Sequence, residues 1–261
     1  MSSSDAPERS GPAKRQAAIT EYVLQHGSVS AHELAEMFHV SLMTIHRDLD
    51  ELQRQGVVRK FRGGVSAQPS SVFESNVSYR LRAAREEKLA MARYARSLIE
   101  PGMAVMLDDS TTTLELARLL EDAVPLTVVT NFLETIKLLS GVRGLRLIAL
   151  GGEYYPTHDS FLGVPCIEAI EALRVDLLFA STSAVSGGYA YHQEQEIVLV
   201  KRAMMRAARR SVLMVDHSKL GRVALHRLAP LSDIDLLITD RRAPEDALLE
   251  MRESGVKYEI V

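Results

Sequence analysis

Along roughly the first sixty residues, apolar positions recur at the three- and four-residue spacings of amphipathic helices, whereas beyond about residue 100 they gather into short runs that are apolar at every position. The two periods predict two kinds of structure. Ile19, Tyr22 and Val23 give a first helix its inner face, and His26 and Gly27 end it. Ser30, with Glu33 three residues on, forms a capping box ahead of a second helix whose stripe is Leu34, Ala35 and Phe38. After the turn at Val40, Ser41 is a good N-cap, and Ile45, Leu49 and Leu52 define a third helix ending at Gly56. The segment VVRKFRGGV then offers two short strands about a glycine turn. Helix, helix, tight turn, helix and hairpin make the plan of a winged helix-turn-helix.

The later apolar runs predict strands at 104–107, 126–130, 145–150, 176–181, 211–215 and 235–239, with helical patterns at 84–99, 112–121, 131–140 and 194–209. Strands apolar on both faces and separated by helices argue for an α/β domain, Rossmann-like, with a mostly parallel sheet covered on both sides. Between the two regimes SAQPSSVFESN reads as a connector. The expected organisation is a disordered terminus at 1–13, a winged helix-turn-helix at 14–66, a linker at 67–80 and an α/β domain at 81–261.

A formal net charge of −3 supplies no global attraction to nucleic acid, so any such binding has to come from local patterning. Cys166 is the only cysteine, which excludes an intrachain disulfide framework and favours a small buried thiol over a nucleophile. The first residues lack the apolar core of a signal peptide, and no run reaches the roughly eighteen apolar residues of a membrane span. A cytoplasmic protein without membrane contact is expected. His158, Asp159, His192 and His217 match no compact ligand spacing, so neither a metal nor another cofactor is expected.

With Ile45, Leu49 and Leu52 facing inward, Met43, Thr44, His46 and Arg47 fall on the outer face of the third helix, the part that a helix-turn-helix presents to the major groove. Asp48, Asp50 and Glu51 should turn away from phosphates or pair with bases such as Arg47 and Arg54. The wing adds Arg59, Lys60 and Arg62 beside Gly63 and Gly64, suited to a DNA backbone or a minor groove. A winged helix used for protein contacts is the alternative. In LDDSTTTLELARLL, hydroxyl residues between a strand and a helix can cradle a phosphate or simply cap the helix. In LMVDHSKLG, Asp216 and Lys219 stand at another strand end, where open parallel sheets collect ligands.

The segment from Arg15 to Val65, with VSLMTIHRDLDELQRQG at its centre, strongly resembles the DNA-binding domain of the DeoR family of bacterial repressors, whose hallmark is VSxxTIRRDLxxLxxxG and a hairpin ending in HisGlyGly. The resemblance implies that Ser41, Thr44, His46 and Arg47 face the groove and that Lys60 and Arg62 stand in the wing. His46 replaces the usual first arginine and Arg62 the usual histidine, which changes the donors offered to DNA. Lys88, Asp108 to Thr112, Thr130 and Asn131, Gly151 and Gly152, Phe161 to Gly163, and Asp216 to Lys219 are similar to the family's effector domain, of ribose-5-phosphate isomerase-like fold. This implies a phosphorylated sugar bound by Ser110, Thr111, Thr112 and Lys219, with Asp108 and Asn131 nearby, and with His192 and Glu196 bordering the pocket. Ser110 departs from the usual glycine.

The expected function is a transcriptional regulator, a repressor of carbohydrate-metabolism genes, that binds double-stranded operator DNA as a homodimer or homotetramer and responds to a phosphorylated sugar. One small winged helix makes too few contacts for tight binding, and dimers read two half-sites. The competing class is a sugar-phosphate isomerase or deaminase carrying a DNA-binding domain. GGEYYP is the nearest approach to the isomerases' glycine-rich segment and lacks its preceding lysine, so no catalytic residue is assigned.

Overall fold

The computed structural model describes residues 11–26, 28–67 and 77–261. Gly27, the residues before Gly11 and most of the expected linker lie outside them. The chain divides into two compact units between Tyr79 and Arg80.

In the first unit α1 (Pro12–His26) begins with proline at its first position, where the missing N–H costs nothing, so the helix starts inside the segment expected to be disordered. Strand β1 (Ser28–Ser30), α2 (Ala31–Met37), α3 (Leu42–Arg54), β2 (Val58–Phe61) and β3 (Gly64–Ala67) follow. Ser30 and Ser41 cap α2 and α3 by accepting the Glu33 and Thr44 backbone N–H groups at 3.1 and 3.2 Å. Ile19, Val23, Leu34, Ile45, Leu49, Leu52, Val58 and Val65 close one core. Strand β1 had no alternating run to announce it. It exists because β3 supplies its partner, pairing Ser28 with Ser66 and Ser30 with Gly64.

A second departure concerns Asp48. It lies on the same side of α3 as Ile45, Leu49 and Leu52, not on the outer face, and is buried with them. Its carboxylate accepts from Arg15 Nε at 2.6 Å and Gln16 Nε2 at 2.9 Å, so it ties α1 to α3 instead of pairing with Arg47 or Arg54.

A turn of helix, α4 (Val77–Arg80), occupies the end of the expected linker. The second unit then runs α5 (Arg85–Arg96), β4 (Ala104–Leu107), α6 (Thr111–Ala117), β5 (Leu126–Thr130), α7 (Leu133–Leu139), β6 (Leu145–Ala149), β7 (Glu153–Tyr155), β8 (Ser160–Leu162), α8 (Val164–Glu171) and β9 (Val175–Ala180). It continues with β10 (Ala184–Ser186), β11 (Tyr189–His192), α9 (Gln195–Ala207), β12 (Ala208–Met214), β13 (His226–Pro230), β14 (Leu236–Thr239), α10 (Glu245–Ser254) and β15 (Tyr258–Ile260).

Seven strands form one parallel sheet in the order β15-β14-β12-β9-β4-β5-β6. Successive side chains go to opposite faces: Met106 and Leu178 pack under α8, α9 and α10, while Val105, Leu107, Leu177 and Phe179 pack under α5, α6 and α7. From β4 the chain moves one way to β5 and β6, and from β9 the other way to β12, β14 and β15. The strand order therefore reverses between β4 and β9, which opens a crevice at their carboxyl ends. A small antiparallel sheet, β10-β11-β13, and the hairpin β7-β8 are additions that the parallel pattern did not predict.

Candidate functional site

In the first unit the outer side of α3 is solvent-facing. Met43 is 66% exposed, His46 and Arg47 are exposed, and Thr44 is partly covered. The Ser41 and Thr44 hydroxyls lie 2.9 Å apart in the capped first turn, so each already has one partner and keeps further hydrogen-bonding capacity. In the wing Arg62 is exposed in the turn after β2, while Lys60 donates to Asp50 of α3 at 2.5 Å. That hydrogen bond holds the Asp50 carboxyl below its ordinary pKa. Of the three wing cations that the sequence singled out, Arg59 and Arg62 are free of an acidic partner among the described residues and Lys60 is not.

In the second unit most of the predicted residues, joined by Ser181, converge on the crevice where the strand order reverses. Asp108 follows β4, Asn131 follows β5, Ser181 follows β9 and Asp216 follows β12, and all four are buried. Asp108 accepts the Ser181 backbone N–H at 2.8 Å, which ties β4 to β9. It also accepts from Lys201 of α9, whose ammonium reaches Asp109 at 3.0 Å. Burial alone would lower the Lys201 pKa, yet the two carboxylates raise it. Burial would likewise raise Asp109, but Lys201, with His158 and Arg80 behind it, holds the carboxyl below the usual range. Asp109 accepts further from Ser160 of β8 at 3.1 Å.

A second cationic group sits beside the first. Lys88 of α5 is buried, donates to Thr111 Oγ1 at 3.0 Å and to the Arg80 carbonyl, and has its pKa lowered to about 7 by burial and then by the charge of Lys219. Lys219 is partly exposed, donates to Ser181 Oγ at 3.1 Å and lies 3.8 Å from Asp216. Asn131 donates through Nδ2 to the Phe161 carbonyl at 3.0 Å, while its buried Oδ1 has no partner among the described residues.

The hydroxyl run divides. Ser110 caps α6 by accepting the Thr113 N–H at 3.1 Å, Thr111 meets Lys88, and Thr112 is buried. His192 is buried, with its ring 6.0 Å from that of His158, although the two are far apart in sequence. His158 in turn lies 3.0 Å from Glu194 and 3.4 Å from Arg80. Glu196 stays exposed outside this network. Lys201 and Ser181 were not singled out by the sequence, Asp109 was named only within the Asp108 to Thr112 string, and His158 was weighed only as a metal ligand. Only Lys201 carried a signal, being a charged residue in the apolar period of Ile197, Val200 and Met204. Gly152 is needed as glycine: a Cβ there would stand 2.2 Å from the Leu162 carbonyl, and its φ is +147°. Cys166 is buried, and burial and Asp109 push its thiol up to about 12.

The arrangement can hold a small anion through partly screened cations and hydroxyls, and the unmatched Asn131 amide oxygen can accept from a donor group on the same molecule.

Known proteins match both units. Residues 15–71 match the DeoR-like helix-turn-helix domain and residues 83–241 the DeoR C terminal sensor domain. The HTH-type transcriptional repressor GlcR of Bacillus subtilis is 33% identical, covering 94% of each chain. The glycerol-3-phosphate regulon repressor of Escherichia coli is 32% identical, covering 95% of this chain and 98% of its own. Among solved structures, ribose-5-phosphate isomerase A of Methanocaldococcus jannaschii aligns with 51% of this chain and 52% of its own at 18% identity and a TM-score of 0.38, a likeness too distant to carry further argument.

Proposed function

This chain belongs to the DeoR family of transcriptional regulators, and we propose that it represses carbohydrate-metabolism genes from an operator whose occupancy is set by a phosphorylated sugar or related metabolite. Its helix-turn-helix unit makes it a DNA-binding regulator. The observation that carries the effector half is the pairing of Lys88 and Lys219: two cations disfavour each other beside the hydroxyls of Thr111 and Ser181. A phosphate entering between them removes that repulsion and gains charge-assisted hydrogen bonds. Asn131 Oδ1 is an acceptor for a sugar hydroxyl, and Asp108, Ser110, Thr112 and His192 frame the same crevice. On the DNA side, Ser41, Met43, Thr44, His46 and Arg47 meet the major groove, Arg62 meets phosphates, and Lys60 stands beside them held by Asp50.

The protein acts without turnover, as a cytoplasmic homodimer or homotetramer, because effector binding has to favour one arrangement of paired reading units over another. Among the described residues no helix is long and apolar enough to cross a membrane.

The test uses the full-length chain, a duplex enriched by it from a random pool, and a panel of phosphorylated sugars. One member of the panel should raise the melting temperature and release the duplex. Lys219→Ala should keep DNA binding and lose that response, whereas Arg47→Ala should lose discrimination between this duplex and random DNA. A normal effector response in Lys219→Ala removes Lys219 from the site. Sustained turnover of a pentose or amino-sugar phosphate, abolished by Asp216→Asn, would replace the sensor with an enzyme.

A further inference from the structure

The wing carries a feature that its cations do not explain. Phe61, at the end of β2, is 52% exposed, although the core of this unit lies only three residues away at Val58. Strand pairing shows why the ring has no apolar company. Phe61 faces Gly64 and Arg59 faces Ser66, and beyond them in β1 stand Ser30 and Ser28. Paired residues share a face, so the outer face of this sheet bears small residues, one cation and one aromatic ring. The ring lies over Gly64, where an added Cβ would stand 2.8 Å from Phe61 Cζ and 2.6 Å from the Val29 carbonyl oxygen. The glycine thus makes room for the ring, about half of which remains exposed.

The flanking charge says what covers it. Arg59 and Arg62 are exposed and have no acidic partner among the described residues, and the hairpin is tied to α3 through Lys60 and Asp50. An aromatic between uncompensated arginines, beside a helix that reads DNA, fits a surface with rows of anions and apolar edges between them. Duplex DNA has that chemistry: deoxyribose and base edges lie between its phosphate rows, and apolar side chains are used against them.

We propose that Phe61 packs against deoxyribose and base edges of the operator, supplying an apolar part of the wing's grip between the phosphates drawn by Arg59 and Arg62. The inference rests on the DNA-binding reading of this unit.

The test is a salt titration of the full-length protein on a duplex it has itself enriched from a random pool. Releasing counterions gives phosphate contacts a salt slope, and an apolar contact has none. Phe61→Ala should weaken binding roughly tenfold at every salt concentration, the loss of one half-buried aromatic contact, with the slope unchanged. Phe61→Leu should fall between, and Arg59→Ala should lower the slope by about one. Wild-type affinity in Phe61→Ala overturns the proposal, as does a loss that changes the slope. A loss that tracks a lower melting temperature or an altered oligomeric state without DNA assigns Phe61 to the fold instead, and also overturns it. If the wild-type protein enriches no duplex, the DNA-binding reading itself fails, an outcome distinct from these.

Discussion

On α3 and the wing, His46, Arg47, Arg59 and Arg62 stand exposed on a surface braced by buried apolar residues, whereas at the crevice of the second unit Lys88, Lys201, Asp108, Asp109 and Asp216 are all buried. The difference suits the ligand proposed for each unit. A polyanion is long and its charges repeat, so it is gripped by many solvated cations whose individual worth is small and additive. A single small anion has to be bound by few groups, which gain strength only when water is excluded from them. Burial has its own cost, and the second unit offsets it with carboxylates: Asp108 and Asp109 around Lys201, and Asp216 beside Lys88 and Lys219.

The comparison breaks most visibly at Lys201. Lys201→Met leaves two buried carboxylates without their cation and should cost the second unit about 3–5 kcal/mol in denaturant unfolding, with the first unit's transition in place. A loss below about 1 kcal/mol, the worth of an exposed pair, would show that the cluster is not dry. The next effect is in pH. The folded pKa of Lys88, about 7, lies below its unfolded value, so between them the unfolded chain holds more protons and stability rises with pH. The slope should approach about 1.4 kcal/mol per pH unit above pH 7 and disappear in Lys88→Met, measured by unfolding midpoints across that range. A flat profile in the wild-type protein would place Lys88 in a wetter site. The smallest effect belongs to the exposed pair. Asp50→Ala should leave the melting temperature unchanged and free Lys60 for phosphate, steepening the salt slope of DNA binding by about one. An unchanged slope would keep Lys60 out of the interface.

Much of the first unit was legible because its information is local. Ser30 and Ser41 announce their caps, and Ile45, Leu49 and Leu52 fix the inward side of α3, so the outward side follows by subtraction. Asp48 shows the limit of that subtraction: its expected partners were the nearby Arg47 and Arg54, and Arg15, thirty-three positions earlier, pairs with it inside instead. In the second unit the strands at 104–107 and 126–130 fall where their apolar runs put them. The order of those strands is not local, and it is the order that brings Asp108 and Lys219 to Ser181.

The chain's own pattern therefore determined the two structural regimes, α1 to α3, six of the seven parallel strands and the side chains that α3 turns outward, because hydrophobic period and capping act over a few residues. The tertiary structure alone decided which charges are buried together and which residues share the crevice, because parallel pairing joins segments far apart in the chain. It also decided that Phe61 stays uncovered, since the small residues opposite it come from β3, and with β3 from β1.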